Sequence, residues 1–191
     1  QTRHAGIEQA PARPSWKVLL AVLPMLIVQI PYAIVLAFIV SIFPGYAVES
    51  GLTPSEVGLI LSGFGFARTL VFSLSGRLGR MGERRNIGFA FLGMIPVLFL
   101  ISLNKSVIGL LVDSCLMGAF IGIIYPQTVA VVSKRSPPEN MGFAIGAYET
   151  IFGVGFAFRP VLLGFVAEAA SPDFSLLVMA VACLSANPVL G

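Results

Sequence analysis

Four charged residues stand inside long apolar stretches of the chain: Arg68, Asp113, Glu149 and Arg159. A charge at bilayer depth costs about 2.5 to 3.5 kcal/mol on insertion scales, so such a group is held by a partner or faces water. Ion pairing, with one another or with a charged solute, is the chemistry these residues offer. Counted from the nearer end of each apolar run, Arg68 lies about 10 Å and Glu149 about 12 Å from one side, and Asp113 and Arg159 about 9 and 12 Å from the other. Depth therefore allows two pairs, Arg68 with Glu149 and Asp113 with Arg159. The pairs could exchange partners as a gate or solute path opens and closes, or they could be static braces between helices, or one side chain could reach out to the interface. Gln29, Tyr125 and Gln127 add neutral donors and acceptors that could line a solute cavity, although a hydrogen bond between helices would use the same groups.

Other chemistries have little to build on. His4 is the one histidine and lies in a polar tail, and Cys115 and Cys183 sit in apolar runs without a CxxC neighbourhood, so no metal site and no cofactor are expected. Neither HExxH nor GxSxG occurs, and no GxxxxGK[ST] loop is present to bind a nucleotide. An enzyme is not expected.

The elements that must position these groups follow from composition. Of 191 residues, 57% are hydrophobic and 11% charged, and the mean hydropathy is +0.92, whereas soluble domains carry about 25% charged residues. Lipid is the solvent such a surface requires. The net charge of +3 resides in short basic clusters between apolar runs and not on one continuous face, which argues against nucleic acid as a partner. Six runs, approximately 18–43, 55–75, 87–103, 107–132, 141–167 and 173–190, are predicted as membrane-spanning helices. They are continuously apolar, which excludes the alternation of barrel strands. The predicted fold class is all-α: a polytopic six-helix bundle over 18–190, preceded by a tail over 1–17.

Arg3, Arg13 and Lys17, then Arg77, Arg80, Arg84 and Arg85, then Lys134 and Arg135 collect on one side of the predicted bundle. Glu49, Lys105, Glu168 and Asp173 fall on the other. Positive charge marks the cytoplasmic side, so both ends are expected there, in the plasma (inner) membrane. Short connections predict antiparallel packing of consecutive helices. Pro24, Pro31, Pro96, Pro126 and Pro160 are expected to kink or unwind their helices. Gly118 with Gly122, and Gly142 with Gly146, place small residues one turn apart for close packing. The chain opens on Gln1 and closes on an apolar Pro188-Val189-Leu190-Gly191, and so reads as a segment of a longer protein.

One connection carries a recognisable pattern. Gly76, Leu78, Arg80, Gly82, Arg84 and Arg85 match the loop G-x-L-x-D-R-x-G-R-[KR]-[KR], and the segment resembles the cytoplasmic gate motif of the major facilitator superfamily. Gly79 stands where that family prefers Asp. Leu52-Thr53-Pro54-Ser55-Glu56-Val57-Gly58 is similar to the family's short outer connection, with a hydroxyl residue capping the next helix beside Pro. Gly153, Gly155, Pro160 and Gly164 resemble the family's Gly- and Pro-rich fifth helix, with Arg159 where a Gly usually precedes the Pro. The fourth-helix signature, an Arg a turn before a Gly, is absent.

The resemblance implies one six-helix half of a permease, and the polar tail favours the carboxyl-terminal half. It further implies secondary active transport of a small-molecule substrate by alternating access, as symporter or antiporter, with a proton or other ion as coupling partner and the missing half completing the cavity. A non-transporting membrane scaffold or assembly subunit is the alternative, since six packed helices and static pairs would suffice for it.

Overall fold

The computed structural model describes residues 16–169 and Cys183. The tail over 1–15 and the predicted sixth span lie outside the described residues, apart from Cys183, which is helical and buried. Every regular element described is a helix. Helix α1, Trp16–Ala37, runs through a π-helical turn, Phe38–Ile42, into α2, Phe43–Glu49. Then come α3, Pro54–Ser73; the short α4, Ser75–Leu78; α5, Glu83–Leu103; α6, Val107–Arg135; and α7, Met141–Ala169.

Four helical stretches, Trp16–Glu49, Pro54–Ser73, Glu83–Leu103 and Val107–Arg135, are long and apolar enough to cross a membrane. Their outer faces are as greasy as their inner ones: Phe66 is 73% exposed and Ile108 75%. Helices that are hydrophobic all round satisfy their backbone internally and leave only side chains for lipid. Local signals set their ends. Thr53 Oγ1 accepts from Glu56 N at 3.4 Å, while Glu56 Oε2 accepts from Thr53 N at 2.7 Å, a reciprocal cap with Pro54 in the first helical position. Ser106 caps α6 by accepting from Gly109 N at 3.1 Å.

The long first helix keeps α geometry through Pro24 and Pro31 and departs from it only at Phe38–Ile42. Pro44 is the cause. It has no N–H to give Val40, and its ring crowds that carbonyl, so the helix widens in the turn before it and Phe43 N bonds to Phe38 O. The prolines expected to unwind the first helix do not; the one that does was not singled out.

Packing meets the expectation of consecutive antiparallel neighbours at α5 and α6 but departs from it elsewhere. Helix α3 packs chiefly on α6, which runs in the same direction, and α6 also receives α5, α1 and α7. Short connections constrain where helices end, not which face they choose. Glycine makes that choice. A Cβ on Gly118 would stand 2.3 Å from Phe64 O, and one on Gly122 2.6 Å from Arg68 O, so α3 and α6 touch backbone to backbone. Gly63 receives Leu111 and Cys115, and Gly93 lies under the Phe120 ring; neither glycine was marked from sequence. At Gly142 and Gly146, no described atom lies within 4 Å of an added Cβ, and Gly153 is likewise open, while Gly155 meets only Ala33 Cβ at an ordinary 3.4 Å. Among the described residues these four mark no close approach, and α7 packs there mainly on α1 through other residues.

Gly118→Ala and Gly122→Ala should each lower the unfolding temperature of the detergent-solubilised complete protein. Forced separation of two backbones costs about 1 to 3 kcal/mol. Gly142→Ala should leave it unchanged, and thermal melts of the three variants check the contrast.

Candidate functional site

The contact at Gly122 brings Arg68 alongside the turn of α6 that carries Tyr125 and Thr128. Helix α1 adds Tyr32, and α7 adds Tyr148, Glu149 and Phe152. Arg68 Nη2 donates to Tyr32 Oη at 3.3 Å, and Tyr125 Oη donates to Glu149 Oε1 at 2.6 Å. Between the two phenols the ring centroids are 6.4 Å apart. Phe72 stacks on Tyr125 at 6.2 Å, Tyr148 lies 6.1 Å from Tyr125, and Phe152 6.0 Å from Tyr32. The Thr128 hydroxyl is directed at the carbonyls of Ile124 and Tyr125, so the 2.6 Å bond it shares with Tyr148 is donated by the tyrosine.

Tyr32 and Tyr148 are fully buried, whereas Arg68, Tyr125 and Glu149 are half-buried. Arg68 and Glu149 therefore belong to one cluster but do not form the direct pair that depth allowed. Each ends on a tyrosine, and the two tyrosine rings are neighbours. Depth along a helix axis gives no information about a third side chain between two charges.

The remaining candidates divide. Asp113 is 3% exposed and accepts from Asn104 Nδ2 at 2.5 Å. Asn104 ends α5, so this carboxylate ties down the α5–α6 connection. The side chains of Arg159, Pro160 and Gly164 lie outside the described residues, and with them the second predicted pair. Gln29 is fully buried, with neither amide atom hydrogen-bonded among the described residues. Gln127 does not join Tyr125. One residue separates them in sequence but turns them to different faces of α6, and Gln127 Nε2 donates to Ser75 O at 3.0 Å.

That bond belongs to the arginine-rich connection. Here α4 and a tight turn, Gly79–Met81, lead to Gly82, whose φ of 101° is a conformation that favours glycine. Asn86 Nδ2 donates to Leu78 O at 2.6 Å, and Gln127 to Ser75, so two side-chain amides bind the carbonyls of the last and first residues of α4. Gln127 Oε1 lies 3.7 Å from where a Cβ of Gly79 would stand. The position that the family pattern fills with Asp thus faces an amide. Gly76, Gly79, Arg80, Glu83, Gln127 and Lys134 line a cleft of about 440 Å³. Across it Lys134 pairs with Glu83, joining α6 to α5. Arg135 Nη1 donates to Ala21 O at 3.1 Å, joining α6 to α1. Arg80 and Arg85 are exposed, and Arg84 and Leu78 half-buried. Sequence reading missed Glu83, Asn86 and Lys134 as members of this site. A charge complement between the first turn of one helix and the last turn of another was the available signal.

A lipid-exposed helical bundle that holds opposed charges inside and an arginine-rich turn at one end is a polytopic membrane protein of all-α class. Its family follows from comparison: residues 25–190 match the model of the Major Facilitator Superfamily, to which the chain belongs. Among curated proteins it is similar to the quinolone resistance protein NorA of Staphylococcus aureus, 24% identical over 136 residues, 70% of this chain and 34% of that protein. An uncharacterized MFS-type transporter of Methanocaldococcus jannaschii is 27% identical over 134 residues, 69% of this chain and 34% of its own length. The chain spans about a third of the length of these relatives.

Gln127→Leu keeps the volume but removes the side-chain bond from α6 to Ser75 O, which keeps its bond from Gly79 N. A hydrogen bond of this kind contributes about 0.5 to 1.5 kcal/mol. Amide hydrogen exchange of the complete protein should show faster exchange over 75–82 in this variant, with α5 and α6 protected as before.

Proposed function

We propose that the chain forms part of a permease that carries a small solute across the plasma membrane by alternating access, its basic end facing the cytoplasm. One observation carries this reading: Arg68 and Glu149 stand in the bundle interior, each bound to a tyrosine and not to the other. A static brace gains most from direct contact of its charges, because an ion pair weakens with distance. Binding each charge to a neutral phenol instead forgoes that gain and leaves both with capacity for a guest. Membership of a family of transporters agrees with it.

The basic end supplies a latch. Lys134 with Glu83, and Arg135 with the Ala21 carbonyl, hold three helices together on that side. In this reading the bundle rocks against a second six-helix half, and the latch closes when the interior cluster opens to the outside. A proton or another ion drives the cycle. The Staphylococcus aureus relative is named for quinolone resistance, so a quinolone is the first solute to assay.

Reconstitution of the complete transporter in vesicles tests the reading. Solute should accumulate down an imposed ion gradient, and Arg80→Gln or Lys134→Met should alter the rate several-fold with the amount of folded protein unchanged. A folded protein that moves no solute under any gradient would overturn the proposal and leave a scaffold in its place.

A further inference from the structure

Among the described residues, neither charge in the interior cluster is saturated. A guanidinium carries five N–H donors, and Arg68 makes one bond to a described residue, at 3.3 Å, long for N–H to O. Glu149 receives the Tyr125 hydroxyl on Oε1, and Oε2 has no partner among the described residues. Both side chains are half-buried. The rings bonded to them belong to an aromatic cluster: Tyr32 and Tyr125, 6.4 Å apart between centroids, with Phe72 stacked on Tyr125 and Phe152 against Tyr32.

A solute with one charge would satisfy one wall of such a site and face the other unmatched or repelled. An anion drawn to Arg68 would meet the carboxylate of Glu149, and a cation on Glu149 would meet the guanidinium. Only a guest with both charges neutralises both walls. We infer that the cluster selects a zwitterion with a flat apolar body between its charged ends, the acidic end on Arg68 and the basic end on Glu149. The inference rests on the transport reading above and narrows it to a substrate class. Tyr32 and Tyr125 act as positioning residues: each hydroxyl fixes one charged group and each ring flanks the body of the guest. Carboxylate on guanidinium is a geometry with two parallel N–H bonds available, and rings offset from a flat guest add the stacking that aromatic pairs provide.

Three forms of one scaffold separate the possibilities. A piperazinyl quinolone carboxylic acid is zwitterionic, its ethyl ester is cationic, and its N-acetyl derivative is anionic. With the complete transporter in vesicles, kcat/KM for the parent should exceed that for either derivative by about tenfold or more. Glu149→Gln should abolish the preference for parent over N-acetyl derivative and keep the preference over the ester; Arg68→Gln should do the reverse. Each preference is a ratio measured within one variant, so a change in folded amount does not move it. Equal transport of all three forms, or variants that lose both preferences together, would overturn the zwitterion assignment and leave the transport reading standing. Failure to move any form, with the protein folded, would overturn both.

Discussion

The backbone of α3 lies against α6 at Gly118 and Gly122, where Phe64 O and Arg68 O would stand 2.3 and 2.6 Å from any added Cβ. In lipid there is no hydrophobic drive to bring two apolar helices together, so close contact of this kind, with its many dispersion contacts, decides which helices are neighbours. Here it joins two helices that are neither consecutive nor antiparallel. The consequence reaches the interior, because the carbonyl that touches Gly122 belongs to Arg68. The guanidinium therefore starts from the α6 surface, within a turn of Tyr125, and reaches the Tyr32 hydroxyl on α1. Glu149 arrives from α7 to meet the Tyr125 hydroxyl. A longer gap between α3 and α6 would take Arg68 out of this arrangement.

Much of the helical layout was legible, for a plain reason. A run such as 107–132 is uniformly apolar, and the structure has α6 at Val107–Arg135. Hydropathy reports the solvent, and lipid leaves the backbone few options. Neighbours were not legible, since a helix apolar on every face carries no stripe to say where it packs. The glycine pair at 118 and 122 was visible, but an identical spacing at 142 and 146 meets nothing among the described residues. Small residues permit close approach; they do not require it. In the same way Pro24 and Pro44 look alike in sequence, yet the helix widens ahead of Pro44 alone.

The candidate site was legible by residue type and not by partner. Arg68, Tyr125 and Glu149 announced themselves as polar groups in apolar runs, and they share a cluster. Gln127 did so too, but helical phase turns it from Tyr125 toward Ser75. Asp113, equally conspicuous, ends on the side chain of Asn104. Tyr32, Tyr148 and Thr128, which connect or support the cluster, looked like ordinary members of apolar spans. Their hydroxyls acquire meaning only when four helices converge.

The two ends of the hydrogen-bond network differ in how firmly they are held, and the difference matches their placement. At the basic end the Lys134 side chain is 67% exposed and that of Glu83 19%, and a pair so open to water contributes at most about 1 kcal/mol. Such a contact can break and reform with little change in free energy. The two amides that bind the Ser75 and Leu78 carbonyls behave otherwise, because Asn86 and Gln127 are buried and an amide that lost its acceptor there has little water to turn to. The arginine-rich turn is thus firmly tied to its own helices and loosely tied across them. Motion at this end would carry the turn along as a unit, breaking the exposed ion pair while the amide bonds persist.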